Sequence, residues 1–563
     1  MSARKIPAVL TAVLILGLSL DARKKSDGSA AAQFRQPMAK AEKPEHALNR
    51  LTFGARAGDI QRVQKLGVKK WIDLQLHPDR IAENPVLLEK LQPLDTLGMS
   101  TMQMLQNYPS PALVKEMAAG KLPFPEDPDK RMMVDRLAAR LAAKSDSGVP
   151  DRPSLDALLQ PDQVRTLRTA PPQQKVELFA SLAPALQYQV LENIGQGLRM
   201  QLYAAAPPAL RRRIRSAYGS QALVAQDLTE AKLLRAVYSN CQLAEVLADF
   251  WYNHFNIYLD KGADHFMVTA YERDAIRPNI LGRFEDLLRA TAQSPAMLFY
   301  LDNWESVGAN SPAGQRRKRG LNENYGRELL ELHTLGVDGG YTQKDVTEVA
   351  RCFTGWTIRQ PNRAAEFEFN ARMHDDGEKT VLGVHIPAGG GIHDGYQVLH
   401  LLAHHPSTAR FISRKLAIRF VADDPPESLV NRMAATFLSK DGDLRAVLKT
   451  MFDSPEFWSR GAYRSKIKSP FEMVASALRA MDAEVDFTSG LNNQLNQLGE
   501  PLYRKAEPTG YSNSSQEWLN SAGLLARMNF SVALVNNKVA GVKVEPAQPS
   551  DAAALGSPDF QKK

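Results

Sequence analysis

Apolar residues recur at the spacing of an α-helix along most of the chain. The segment HALNRLTFGARAGDIQRVQKLGVKKWIDLQLHP holds two such amphipathic stretches, separated by a turn around residues 54–58. Residues three and four positions apart share one face of a helix, so this pattern predicts helices with one buried side. The same pattern predicts further helices over about 228–255 and near 268–292, 322–336, 342–354, 396–404, 407–420, 426–437 and 442–453.

Alternation of apolar and polar residues, which is typical of strands, is confined to one short part of the chain. Residues 367–369 and 380–382 alternate in this way, and the turn-forming sequence Asp-Asp-Gly lies between them at 375–377. This predicts a small hairpin over about 366–384. The predicted fold class is therefore all-α, a large multi-helix globular body with one small β-hairpin insertion.

The N-terminal residues have the composition of an export signal. Arg4 and Lys5 precede an apolar run over 6–20, and Ala22 is a small residue suited to cleavage. We therefore expect residues 1–22 to be an export signal and the mature protein to be periplasmic or secreted. Basic residues at 23–25 leave a second possibility, an uncleaved N-terminal membrane anchor, and no other transmembrane segment is expected.

Composition also divides the rest of the chain. Residues 23–43 are small, polar and charged, which predicts a disordered tether, and residues 541–563 are rich in Pro, Ala and Ser, which predicts a disordered tail. A single helical domain is expected between them, over 44–540, with scaffold helices at 90–220, a core with the candidate site at 228–420 and C-terminal helices at 421–540.

The charge of the chain restricts the classes of partner. Its 563 residues carry a formal net charge of +8, and 44% of them are hydrophobic, which is ample for a large buried core. Basic clusters at 211–215 and 316–319 lack the interleaved aromatic residues of a nucleic-acid surface. We therefore expect no nucleic-acid partner, whereas an anionic glycan, a cell-envelope polymer or a membrane surface would match the charge.

The segment LNENYGRELLEL contains the best candidate for a site. On a helix, Asn324, Glu328 and Glu331 fall on one narrow stripe beside an apolar stripe, and no lysine interrupts it. Glu328 is therefore predicted to be a partly buried acid with a raised pKa. The alternative is that Glu328 and Glu331 pair with arginines such as Arg327 or Arg351 in a buried polar network.

Other groups are predicted to meet Glu328 in a single cleft. His254 ends the segment FWYNHF, Asp302 follows LFYL in a loop, and His374 and Asp375 lie at the tip of the predicted hairpin. Asp375 or Asp302 would be the ionised partner of Glu328, because hydrolysis of a glycosidic bond uses two carboxyl groups in different protonation states. Substrate-binding roles, including stacking of sugars on the tryptophans, are predicted for Asn324, Glu331, Trp251, Trp304, Trp356 and Lys379.

Metal binding is a further possibility. Ligands could come from His254, Glu328, Glu331, His374 and Asp375, since neutral histidine and carboxylates are good ligands. However, there is no HExxH motif, and no similarly compact spacing is recognised. No particular metal or cofactor is therefore predicted.

Several long blocks of the chain resemble the bacterial family catalogued as domain of unknown function 1800. LNENYGRELLELHTLGVDGGYTQKDVTEVARCFTGWTI is similar to its central signature, and ADFWYNHFNIY to its tryptophan–asparagine–histidine segment. MHDDGEKTVLG and PLYRKAEPTGY match further blocks, and the resemblance covers roughly residues 44–537. Gly326 departs from the family pattern, which has alanine there, and glycine slightly weakens a helix.

The resemblance implies export, because members of this family look exported, but it implies no activity. It also favours a second exported hydrolase-like protein as partner, since genes of the family often neighbour those of another family similar to alkaline-phosphatase-like hydrolases. We predict an exported hydrolase or lyase that acts on an extracellular or envelope polysaccharide through paired carboxylates. The alternative is a non-catalytic helical binding or assembly factor that works with a secreted hydrolase partner.

Overall fold

The fold is helical, as the sequence predicts. The computed structural model describes residues 32–145, 153–217, 219–316, 320–361, 363–545 and 549–563. Within these ranges the chain forms 29 α-helices and three two-stranded antiparallel sheets, which confirms the all-α fold class. No helix in the described ranges is long and apolar enough to cross a membrane. The predicted export signal, residues 1–22, lies outside the described residues.

Proline sets the start of many helices in the first part of the chain. Pro172 and Pro208, each the second of two consecutive prolines, are first residues of helices, where the missing N–H removes no hydrogen bond. The helices of this part are Lys43–Leu51, Asp59–Leu66, Val68–Gln75, Pro85–Leu91, Thr101–Asn107, Pro111–Ala118, Pro128–Ser145, Leu155–Leu158, Pro161–Thr169, Pro172–Ser181, Pro184–Asn193, Gln196–Ala205 and Pro208–Ser216.

The central helices are shorter than their apolar pattern predicts. The helix predicted over 228–255 is interrupted at Ser239, whose hydroxyl accepts a hydrogen bond from the backbone N–H of Cys241 and so competes with the helix. The helix predicted over 268–292 is broken near Pro278, which cannot donate a helical hydrogen bond. The central α-helices are Ser220–Tyr238, Gln242–His254, Asp264–Ala270, Phe284–Ala292, Pro295–Tyr300, Asn324–Glu328, Gln343–Cys352, Ile392–Ala403 and Pro406–Phe420, and π-helical turns follow at Tyr271–Ile276 and Leu329–Thr334.

The strands pair differently from the single predicted hairpin. Glu366–Phe369 pairs with Trp356–Arg359, whereas Lys379–Val381 pairs with Val384–Ile386. Leu382 and Gly383 close the second hairpin with positive φ angles of 49° and 79°, as a tight two-residue turn requires. Residues 374–377 therefore connect two hairpins instead of forming the tip of one. A third pair joins Glu484–Val485 to Val542–Lys543.

The C-terminal residues are ordered in the described range, which corrects the expectation of a disordered tail. Alanine favours helices and proline can begin one, so a segment rich in both forms short helices. Beyond them, the backbone of Lys563 pairs with that of Lys466. The C-terminal helices are Glu427–Ser439, Leu444–Phe452, Pro470–Ala480, Ser489–Leu498, Ser521–Val535, Pro549–Gly556 and Pro558–Gln561.

Part of the predicted tether is also packed on the body. Pro37 forms a β-bridge with Ser459, and Met38 is buried. Only residues 32–43 of the tether are described, and these belong to the folded domain.

One large hydrophobic core joins segments that are far apart in sequence. It runs from Leu51 to Leu555 and includes both the helix Gln242–His254 and the helix Pro470–Ala480. Two smaller clusters lie mainly among residues 104–134 and 159–214, within the predicted scaffold. The predicted core at 228–420 is thus only part of the main core, and the C-terminal helices complete it.

Candidate functional site

Five of the predicted site residues lie around the turn that follows the helix Pro295–Tyr300. The Asn324 amide donates a hydrogen bond to the Leu301 carbonyl (3.3 Å), and Glu328 is close enough to Tyr300 to affect its ionisation. Asp302 forms an ion pair with Lys261 (2.7 Å). We call this region the Glu328 surface; it consists of Asp302, Trp304, Asn324, Glu328 and Glu331.

The Glu328 carboxyl has the pKa direction that the sequence predicts. Its partial burial, and then the nearby charge of Glu331, raise its pKa. Glu331 accepts a hydrogen bond from the Tyr341 hydroxyl (3.1 Å). Among the described residues neither carboxylate forms an ion pair with Arg327 or Arg351, so the alternative of a buried arginine network is not seen here.

His374, Asp375 and Lys379 are buried in ion pairs. The Arg351 guanidinium donates two hydrogen bonds to Asp375 (2.9 and 3.1 Å), while His374 Nε2 and Lys379 Nζ lie 3.2 and 2.5 Å from the same oxygen of Asp394. Burial would raise the pKa of Asp375, but the hydrogen bonds from Arg351 lower it. These pairs fasten the connection between the hairpins, and the predicted display of His374 and Asp375 at a hairpin tip is wrong.

His254 is also an interior residue. Its Nδ1 lies 2.8 Å from Lys415 Nζ, and its Nε2 lies 3.1 Å from the His333 carbonyl oxygen. Burial, and then the Lys415 charge, lower the pKa of His254 well below its ordinary value, so the ring is neutral. No hydrogen bond or ion pair in the described ranges links His254, His374 or Asp375 to Glu328, and a single cleft that contains all four residues stays a prediction.

Two of the predicted stacking tryptophans are unavailable to a substrate. Trp251 and Trp356 are both 0% exposed. Their rings pack on other core aromatics, such as Phe250 and Phe353. A stacking role for them is therefore wrong, whereas Trp304 is partly exposed and stacks on Phe299.

A charged cavity that the sequence did not predict lies between the helices Gln242–His254 and Pro470–Ala480. It has about 50 Å³ of space for the centres of water-sized molecules and an empty volume of about 660 Å³ when its opening to solvent is included. One water needs roughly 10–15 Å³ of space for its centre, so the inner space of about 50 Å³ holds a few waters or one small ionic group. The charged cavity is lined by Lys232, Arg419, Lys466 and Lys563, by Asp249, Glu472 and Glu500, by Asn253, Asn256, Ser469, Ser512 and Asn513, and by Tyr252, Tyr503, Tyr511, Trp518, Ile467 and Leu502.

Glu472 is the electrostatic centre of this cavity. One of its oxygens is paired with Arg419 (2.5 Å) and with Lys563, and the other accepts a hydrogen bond from the Ser469 backbone N–H (3.0 Å). Although burial alone would raise its pKa, the charges of Arg419 and Lys563 hold the pKa of Glu472 well below its ordinary value. Glu472 therefore stays ionised and compensates two buried cations.

Glu500 and Asp249 are in opposite electrostatic settings. Lys232 forms an ion pair with Asp249 (2.6 Å), whereas among the described residues no cation pairs with Glu500. Burial, and then the Asp249 charge, raise the pKa of Glu500 to about 7. The cavity therefore combines a carboxyl group that can hold a proton near neutral pH with a carboxyl group that is paired with a lysine, and such a difference in setting suits general acid–base chemistry.

The helix Gln242–His254 positions the loop that closes one wall of the cavity. The Asn253 side chain makes two hydrogen bonds of 2.6 Å with the backbone N–H and carbonyl of Tyr511. Gly510, with φ of +69°, approaches so closely that a Cβ there would lie 2.1 Å from the Asn253 carbonyl oxygen. The sequence PTGY therefore needs glycine at this position.

Sequence reasoning missed the cavity although one signal was present. Glu472 stands in PFEMVASALRA, a helix that is apolar almost throughout, and such a charge is buried only when it is paired. Its partners, Arg419 and Lys563, lie on other elements. The signal thus marks Glu472 as unusual, but it cannot say which residues surround it.

Comparison with known proteins gives one family. The sequence profile of the family described as protein of unknown function (DUF1800) matches residues 46–559. This match covers most of the chain and includes all the residues that line the charged cavity except Lys563. No curated protein and no solved structure is significantly similar to the chain.

Proposed function

Because the chain belongs to the DUF1800 family, whose description assigns no activity, we propose a function from the geometry of the site. The proposal is an exported hydrolase or lyase that acts on an anionic polysaccharide of the cell envelope or its surroundings. Its acid–base chemistry takes place in the charged cavity, and not at the Glu328 surface.

The juxtaposition of Glu500 and Asp249 in one cavity carries this proposal. Glu500 has no cationic partner among the described residues and can keep a proton, which it would donate to the leaving oxygen of a glycosidic bond. Asp249, which is paired with Lys232, would act as the base or stabilise positive charge in the transition state. Tyr503 and Tyr511 supply aromatic walls beside these two groups.

The cationic side chains of the cavity support the choice of an anionic polymer as substrate. Arg419, Lys466 and Lys563 line the same cavity as the two carboxyl groups, and burial lowers the pKa of Lys466 to about 8. The inner space admits one carboxylate or sulfate substituent, while the polymer backbone would lie across the opening. If the cations of the cavity exchange an internal carboxylate for an anion of the substrate, the cavity would bind charged polysaccharides more tightly than neutral ones.

A polysaccharide panel tests the function. Purified protein is offered uronate-containing, sulfated and neutral polysaccharides, and new reducing ends and unsaturated uronates are measured to separate hydrolysis from elimination. We expect turnover of an anionic polymer and a loss of at least about 100-fold for Glu500→Gln, since the general acid is removed. Glu126→Gln, a change of the same type at an exposed residue, is the control.

Two outcomes would contradict the proposal. One is the absence of turnover on every polymer by protein whose circular dichroism shows a helical fold. The other is full activity of folded Glu500→Gln together with loss of activity in Glu328→Gln, which would move the chemistry to the Glu328 surface.

A binding or assembly role is the second candidate, and one observation favours it. Along the helix Ser521–Val535, Leu524, Leu525, Met528 and Val532 are 44–61% exposed, and the first, third and fourth are spaced by four residues on one face. Contiguous exposed apolar residues often mark protein interfaces. The variant Met528→Glu, at the centre of this face, should leave turnover of polymer unchanged but abolish binding of an exported hydrolase-like partner; unchanged binding would remove this candidate.

A further inference from the structure

Two histidines and a glutamate come together on the surface, away from the charged cavity. His400 and His404 lie four residues apart at the end of the helix Ile392–Ala403, and Glu285 lies in the first turn of the helix Phe284–Ala292. Their ligand atoms all lie within 4.8 Å of one another. The sequence HLLAH is a compact pair of histidines after all, which corrects the expectation that no such spacing is present.

The hydrogen bonds of His404 prepare its other nitrogen for a metal. Its Nδ1 lies 2.8 Å from the His400 carbonyl oxygen, which can only accept, so the proton is on Nδ1. Nε2 then carries a lone pair when the ring is neutral, and it lies 2.5 Å from a carboxylate oxygen of Asp441. Two electron-rich atoms face each other only if a proton or a metal ion lies between them.

His400 and Glu285 also place a ring nitrogen opposite a carboxylate. His400 Nδ1 lies 3.3 and 3.2 Å from the two oxygens of Glu285. Metal–ligand bonds of about 2.0–2.2 Å in a tetrahedral site place ligand atoms about 3.4 Å apart. The spacing of this pair thus fits a shared ion, and His404 offers a ligand atom within 4.8 Å of both residues. The 2.5 Å between His404 and Asp441 would have to widen for both to bind the same ion.

Two arginines orient the carboxylates. Arg289 lies 3.2 Å from one Glu285 oxygen and Arg283 lies 3.8 Å from the other, and Arg283 also pairs with the Asp441 oxygen that does not face His404. Each carboxylate keeps an oxygen directed at a histidine. Hydrogen bonds of this kind behind the ligands hold them in place for a metal.

We propose that Glu285, His400 and His404 bind a divalent transition-metal ion, zinc, with Asp441 as a fourth ligand. Two imidazoles and a carboxylate suit zinc better than calcium or magnesium, which prefer oxygen ligands. The His400 side chain is 65% exposed, so the site is open to solvent and a water could join the ion. The ion would also fasten the helices Phe284–Ala292 and Ile392–Ala403 to the turn at Asp441.

Metal titration of the whole untagged chain tests the site. After treatment with a chelator, Zn²⁺ is added and binding is measured by calorimetry, and Co²⁺ is added to record the visible absorption of a low-coordinate site. We expect one ion per chain, and at least about 100-fold weaker binding in His400→Asn and in Glu285→Gln, because each loses a ligand. His385→Asn removes another exposed histidine, in the strand Val384–Ile386, and should bind as the unchanged protein does.

The result that overturns the proposal is equally specific. Folded His400→Asn that binds Zn²⁺ with unchanged affinity, or folded unchanged protein that binds none, shows that the cluster is only a set of ion pairs. Circular dichroism establishes folding in each case. If one variant fails to fold, the other decides, since His400 is largely exposed and Glu285 is changed without loss of shape.

Discussion

The charged cavity and the Glu328 surface each contain a carboxyl group with a raised pKa, but the causes differ in strength. Glu500 is 7% exposed and lies near Asp249, and its pKa is about 7. Glu328 and Glu331 are both only partly buried, so solvent screens their repulsion. A carboxyl group becomes an acid near neutrality through burial beside a fixed charge, and only the cavity supplies both.

The two regions should differ most in how much the free energy of unfolding falls when a carboxylate is neutralised. Glu472→Gln leaves Arg419 and Lys563 buried without their counter-charge, and we expect a loss of about 3–5 kcal/mol in the free energy of unfolding. Glu331→Gln, the matched change on the Glu328 surface, should cost less than about 0.5 kcal/mol. Urea unfolding measures both. Equal losses would show that buried charge does not distinguish the regions.

The pH dependence of stability should separate Glu500 from exposed glutamates. Because its folded pKa is raised from an ordinary 4.5 to about 7, the folded state binds a proton more tightly, and stability falls as pH rises from 4.5 through 7. Glu500→Gln lacks this fall, so its stability relative to the unchanged protein should increase by up to about 3 kcal/mol between pH 4 and pH 8. Denaturant unfolding at several pH values tests it, and Glu126→Gln should show no such trend. If the difference in stability between Glu500→Gln and the unchanged protein does not vary with pH, the pKa of Glu500 lies in the ordinary range.

The wall of the cavity should depend on one asparagine. Asn253→Ala removes two hydrogen bonds to the backbone of Tyr511 and should cost about 2 kcal/mol in the free energy of unfolding. Amide hydrogen exchange should increase in residues 501–511 before the rest of the chain. Asn496→Ala, at an exposed position of the helix Ser489–Leu498, is the control and should change neither quantity. Unchanged exchange in 501–511 would mean that other contacts hold this loop.

The smallest effect is expected on the Glu328 surface itself. Glu328→Gln keeps the shape of a partly exposed side chain, so stability should change by less than about 0.5 kcal/mol. Turnover of an anionic polysaccharide should remain within about twofold, because the proposed acid is Glu500. A polymer assay and a melting curve measure these. Loss of activity with unchanged melting would reverse the comparison and return the chemistry to this surface.

Periodicity predicted the helices because it reports on burial within one element. It placed the helix at 322–336 and the stripe of Asn324, Glu328 and Glu331, and it found the direction of the Glu328 pKa. It failed at Ser239, where a side chain competes for a backbone hydrogen bond within an apolar run. The local sequence pattern alone does not show that the helix ends before Ser239, because serine also occurs within helices.

The site was less predictable because its members come from distant segments. His374 and Asp375 look like loop residues in sequence, and only the tertiary fold brings Asp394 and Arg351 to bury them. Glu500 stands in LGEPLY, where nothing local shows that it will face Asp249 across a cavity. Asp249 and Glu500 are 251 positions apart, so tertiary packing brings them together and the spacing of residues in the sequence does not predict it.

The pairing of Glu472 with Lys563 has a consequence for how the chain is made. Lys232 and Asp249 leave the ribosome long before Lys563, and at about 5–20 residues per second the interval of 331 residues lasts tens of seconds. During that interval Arg419 and Glu472 can pair, but the backbone of Lys466 has no strand partner from the tail. A nascent chain that has not yet reached Lys563 presents an incomplete, charged cavity to chaperones, and this cavity is completed only when Lys563 pairs with Glu472.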